Sequence, residues 1–135
     1  MLWSPVQLVR RAAILVAGSY VAGDGAGTEN DVITEGANQV VLFLNVTKGS
    51  LTTILLKAEM NVRGFGLFQE LTANVSAGAA TLKPLEYTLR ASDLAATALL
   101  YLPLPVLGDR VRVSAKGVGT ATGSELAIFA SVGRS

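Results

Sequence analysis

Asp109-Arg110-Val111-Arg112-Val113-Ser114-Ala115-Lys116 is the stretch that decides the fold. Arg110, Arg112, Ser114 and Lys116 alternate with Val111, Val113 and Ala115. An extended chain therefore presents one polar and one apolar face here. That period of two is strand periodicity, and the valines suit a pleated, half-buried surface. Shorter runs of the same kind, bounded by Gly, Pro or Asn, recur along most of the chain.

Upstream, Leu85-Glu86-Tyr87-Thr88-Leu89-Arg90 alternates again, and residues 51–62 form the longest strand expected. Lys57, Glu59 and Asn61 lie on its outer side, with Ala58, Met60 and Val62 on its inner side. Val40-Val41-Leu42-Phe43-Leu44 is continuously apolar and reads as a strand buried on both faces or covered by another chain. Lys48-Gly49-Ser50 makes the turn between these two strands. Residues 12–22 are strand-like because Ile14, Val16 and Val21 are β-branched and Tyr20 is aromatic, and Gly23-Asp24-Gly25-Ala26-Gly27 ends them. Residues 31–35, 67–71 and 80–82 supply short strands. Ser92 is read as the N-cap of the one helical turn, residues 92–98. Pro103 and Pro105 exclude a helix over residues 99–107 and favour an edge strand or an extended connection. Residues 117–123 are a glycine-rich connection, and residues 125–132 the last strand. The chain is expected to be all-β: a β-sandwich or jelly-roll of about eight to ten short antiparallel strands.

A chain of 135 residues is expected to form a single domain, here residues 12–135 preceded by an N-terminal arm, residues 1–11. Half of the residues are hydrophobic and 16% are charged. That is too apolar for a disordered chain, and it predicts surface covered by neighbouring subunits. A net charge of +1 provides no field to attract nucleic acid or an anionic membrane. The apolar run after Arg10 and Arg11 is shorter than the about 20 residues a membrane-spanning helix needs. Trp3, Pro5, Val6, Leu8 and Val9 make the segment before those arginines apolar too, unlike the basic start of a signal peptide. A first strand or an arm is the expectation. Trp3, Val6 and Leu8 then either join the chain's own core or anchor an arm on a neighbour.

The chain has no His and no Cys, which removes the commonest metal ligands, acid–base groups and thiol nucleophiles together. Asp24, Glu29, Asp31 and Glu35 lack the regular spacing of a calcium loop and read as a solvated loop. Gly117, Gly119 and Gly123 are not followed by the Lys-Ser/Thr and helix of a phosphate loop. Arg110, Arg112 and Lys116 form a basic stripe without aromatic interleaving for bases. Glu59, Glu86 or Asp109 can neutralise it across strands, and salt bridging between subunits is its expected use. Glu59, Glu70 and Glu86 are the carboxylates from which a glycosidase pair would be drawn, at a separation that spacing does not fix. The expectation is a protein that is not an enzyme, with no cofactor and no metal.

Val40 to Glu59, Phe68-Gln69-Glu70, Tyr87-Thr88-Leu89, Leu102-Pro103-Leu104-Pro105-Val106 and the Arg110 to Gly117 strand resemble small virion proteins of tailed bacteriophages. They resemble in particular the β-sandwich class that includes capsid decoration (cement) proteins and small neck or tail proteins, over about residues 38–135. The resemblance implies a structural protein of the virion, bound to the major capsid protein or other virion proteins on the capsid surface. It implies a homo-oligomer, trimer or dimer. The assembly contacts expected are Trp3, Val6, Leu8 and Arg10, with Arg110 and Arg112 as polar partners. A neck or tail protein and a tail-associated carbohydrate- or receptor-binding module are the alternatives. The latter would use exposed aromatics among Trp3, Tyr20, Phe65, Tyr87 and Tyr101.

Overall fold

Alternation is what the tertiary structure exploits. The structure, a computed structural model, describes residues 2–14, 20–22, 31–61, 67–68, 70–76, 79–83, 85–106 and 108–135. In chain order the strands are β1 (Leu2–Trp3), β2 (Gln7–Ile14), β3 (Val21–Ala22), β4 (Val32–Ile33), β5 (Gln39–Thr47), β6 (Leu51–Asn61) and β7 (Leu67–Phe68). They continue with β8 (Glu70–Ser76), β9 (Ala79–Lys83), β10 (Leu85–Arg90), β11 (Thr97–Leu104), β12 (Arg110–Gly119) and β13 (Glu125–Arg134). All pairings are antiparallel.

Sheet A runs β1-β13-β5-β11, with β2 pairing β13 beside β1. Sheet B runs β10-β6-β12-β3, with β4 also on β12 and β7 on β6; β8 and β9 form a hairpin. The two main sheets form a β-sandwich-like arrangement, so the expected all-β architecture is present.

The core is built mainly from one side of the long strands. From sheet A it takes Val40, Leu42, Leu44 and Val46 of β5 and Leu126, Ile128, Ala130 and Val132 of β13. From sheet B it takes Ile54, Leu56, Ala58 and Met60 of β6 and Val111, Val113 and Ala115 of β12. Successive side chains of a strand point to opposite faces, so every second residue enters the core. A one-residue slip would exchange the two sets, and this fixes the register.

Three expectations change. β5 is not buried on both faces: its even positions are buried, and Phe43 between them is 40% exposed. The helical turn is a 3-10 turn at Ala91–Asp93 that contains Ser92, so Ser92 is not an N-cap, and no side chain caps its start. Lys48 takes that role at its far end: its Nζ donates to the carbonyls of Ala91 (3.2 Å) and Leu94 (2.8 Å). The glycine-rich connection begins later than its composition suggests, because Gly117-Val118-Gly119 continue β12. A register shift between Val118 and Gly119 precedes the last pair of the ladder, Gly119 with Leu51. Of the edge strand or extended connection expected at residues 99–107, the structure shows an edge strand, β11, which begins at Thr97 and ends at Leu104.

Candidate assembly surface

Register decides what the outer face of sheet A carries. Tyr101 pairs with Phe43, Phe43 with Phe129, and Phe129 with Leu8. Cross-strand partners project to the same side. Three aromatic rings and a leucine therefore form one row across β11, β5, β13 and β2. Leu99, two residues from Tyr101, extends the row along the edge strand. Tyr101 is 75% exposed, Leu99 80%, Phe43 40% and Leu8 41%. Trp3, 48% exposed, lies on the same face at its far corner, paired with Gly133.

The exposed parts of these five side chains come to roughly 500 Å², taking about 150–250 Å² for a whole aromatic side chain. That is at the upper end of what a soluble monomer leaves open in one patch. Covering it would contribute on the order of 10 kcal/mol before association costs are subtracted.

Charge is segregated to the opposite side of the sandwich. The outer positions of sheet B carry Lys57 and Glu59 on β6, Glu86 and Arg90 on β10, and Arg110, Arg112 and Lys116 on β12. Among the described side chains on the outer face of sheet A, Glu125, at one end of β13, is the charged one.

Several charges of sheet B are engaged within the chain. Arg112 donates from Nε and Nη2 to the two carboxylate oxygens of Asp31, at 3.0 and 3.2 Å. Nη1 of Arg110 approaches the same carboxylate at 4.0 Å. The hydrogen bond to Asp31 raises the Arg112 pKa above the ordinary arginine value; partial burial opposes it, and the charges of Asp31 and Glu59 add to it. Lys57 pairs with Glu59 at 3.4 Å. The Tyr20 ring sits between two ammonium groups, Lys57 at 4.8 Å and Lys116 at 4.7 Å from its centroid.

Asp31 is consequently not part of a solvated loop: its side chain is 3% exposed, and the arginine pair compensates its buried charge. Asp24 and Glu29 lie outside the described residues. Among the described residues no group of three His, Cys, Asp or Glu side chains could hold a metal ion, and no helix is long and apolar enough to cross a membrane.

Of the contact residues expected from sequence, Trp3 and Leu8 are brought to one face, and Val6, in the connection between β1 and β2, is 59% exposed. Arg10 is 3% exposed, and its Nε donates to the carbonyl of Leu126 at 3.1 Å. Arg110 and Arg112 lie on the other sheet, on the opposite outer face. Residues 2–11 are laid along β13 as β1 and the first part of β2, with Val9 in the core. The boundary at residue 11 thus falls inside β2. Glu59 and Glu86 sit on neighbouring strands; Glu86 pairs with Lys57, two residues from Glu59. Of the aromatics considered for sugar stacking, Tyr87 packs against the core, Tyr20 lies under two lysines, and Phe65 falls outside the described residues. Phe43, Leu99 and Phe129 were not legible as surface residues, because their runs are apolar at both phases and only pairing shows which phase is outside.

Comparison with family models, with curated proteins and with solved structures gives no match.

Proposed function

We propose that this chain is a non-enzymatic structural protein of a bacteriophage virion, decorating and stabilising the capsid, with the outer face of sheet A as its contact surface. The observation that carries the assembly role is the exposed row Tyr101–Phe43–Phe129–Leu8. Such a face is stable when covered and is an aggregation liability when left open. The low charge of that face, with Glu125 at one end, suits a lattice joint, where each contact is repeated by symmetry and buried area accumulates. The virion part of the proposal rests on the resemblance of the strand pattern to decoration proteins. The neck or tail of the particle is the alternative location.

The test is co-sedimentation of the purified protein with empty capsids of a tailed phage. Phe43→Lys and Leu8→Lys, both on the contact face, are expected to abolish pelleting with shells. Arg90→Glu, on the charged face, is expected to leave it intact. A native protein that stays in the supernatant at saturating shell concentration overturns the decoration reading. Lysine variants that pellet like the native chain would remove sheet A as the contact surface.

A further inference from the structure

We infer that β11 is a self-pairing edge, at which two copies of the chain join antiparallel across a two-fold axis passing at Leu100. Among the described residues β11 has β5 on one side and no strand on the other. Its free side is an open ladder of backbone donors and acceptors, which folded proteins ordinarily blunt with charges, bulges or proline. The sequence Thr-Ala-Leu-Leu-Tyr-Leu-Pro-Leu of β11 contains no charged residue, and its pairing with β5 is regular from Thr97 to Leu104. Pro103 is its single blunting feature.

Exposure points the same way. Leu99 and Tyr101 are the most open large apolar side chains of sheet A's outer face. The residues on the other side of the strand, Ala98, Leu100 and Leu102, are only half buried although they face the core. An edge strand open on its outer side and only partly covered on its inner side gains from a further strand beside it.

The occupant follows from the strand's own pattern. An uncharged strand brings no like charges together when it meets its copy, whereas a charged edge would be opposed by its own repetition. With the axis at Leu100, Tyr101 lies opposite Leu99 of the second copy on the outer face, an aromatic–aliphatic pair made twice. Ala98 meets Leu102 of the second copy on the inner face. Pro103 falls opposite Thr97 of the second copy, at the margin of the paired segment, where a missing N–H costs least. Moving the axis to Tyr101 would place Pro103 opposite Leu99, inside the paired segment. The resulting closed, isologous contact makes sheet A continuous through both copies and joins their two aromatic rows. The biological use of this pair rests on the assembly reading above, but the pairing itself does not need a shell.

The chain has no native cysteine, so disulfide trapping reads the register directly. The double variant Leu99→Cys/Tyr101→Cys, oxidised with copper phenanthroline in air, is expected to give a covalent dimer. A Thr88→Cys control on the charged face is expected to remain monomeric under the same oxidation. In light scattering, the native chain is expected to show a concentration-dependent dimer that Leu99→Lys/Tyr101→Lys removes, with its circular dichroism unchanged. No trapped dimer, or a dimer that survives the lysine pair, overturns β11 pairing. If the native chain pellets with shells while the double-cysteine variant gives no trapped dimer, the pairing is overturned and the decoration reading stands. If the double-cysteine variant is trapped as a dimer while the native chain ignores shells, the pairing is supported and the decoration reading is overturned.

Discussion

The carboxylate of Asp31 is held by the guanidinium of Arg112 through two hydrogen bonds of 3.0 and 3.2 Å, between residues 81 positions apart in the chain. Gln7 is tied to the same place, its Nε2 donating to the backbone carbonyl of Asp31 at 3.0 Å. One acidic residue thereby links the segment entering β4, the strand β12 and the start of β2. Its bidentate geometry suits arginine and no other side chain.

Asp31→Ala is expected to lower unfolding free energy by about 2–4 kcal/mol, because it strips the partner from Arg112 and removes a buried, satisfied carboxylate. Urea unfolding would measure it. A loss under about 1 kcal/mol would mean that the pair behaves like an exposed surface bridge.

Gly49 and Gly36 both have positive φ, +53° and +72°, but differ in the space around them. A Cβ on Gly49 would collide with the carbonyl oxygen of Thr122 and come within 2.6 Å of Ser124 Oγ, whereas one on Gly36 meets nothing within 4 Å. Gly36→Ala is expected to cost about 1 kcal/mol, from the left-handed backbone alone. Gly49→Ala is expected to cost about 1–3 kcal/mol more, because the tips of the β5–β6 and β12–β13 connections must separate. Thermal unfolding of the two variants side by side tests this, and equal losses would refute the packing argument.

Lys48→Met is expected to destabilise the protein by about 1–2 kcal/mol, since the carbonyls of Ala91 and Leu94 lose a charged donor. The effect should concentrate in the connection between β10 and β11. Hydrogen exchange would show faster opening there and little change in β12, and uniform acceleration would instead point to a global loss.

Tyr20 carries the pH prediction. Burial, and secondarily the charge of Glu86, raise its phenol pKa above the ordinary 10.0. The folded state therefore holds the phenolic proton more tightly than the unfolded state does. The stability this contributes is complete below about pH 10 and falls as pH rises through the folded pKa. Tyr20→Phe should remove that fall, so native and variant chains should diverge only in alkaline urea titrations. Parallel curves up to pH 11 would contradict it.

Strand character was legible wherever one phase of a run is polar. β12 and the second half of β6 could be placed, facing included, from Arg110, Arg112 and Lys116 and from Lys57, Glu59 and Asn61. β5, β11 and β13 could be recognised as strands, but not oriented, because Val41 and Leu42, Leu99 and Leu100, and Ile128 and Phe129 offer the core equally good apolar side chains. The 3-10 turn was over-read from Ser92, since a capping residue type does not ensure a helix long enough to need capping.

The amino-acid sequence by itself determined an all-β chain, the charged face of sheet B and a non-helical, extended proline-bearing segment, because alternation and missing backbone donors are local properties. Only the tertiary structure decided which phase of the apolar strands faces outward, that Phe43, Phe129, Tyr101 and Leu8 align into one row, and that Asp31 belongs to Arg112. Those are consequences of register between strands far apart in the chain, and register is set by filling a shared core, which no single segment encodes.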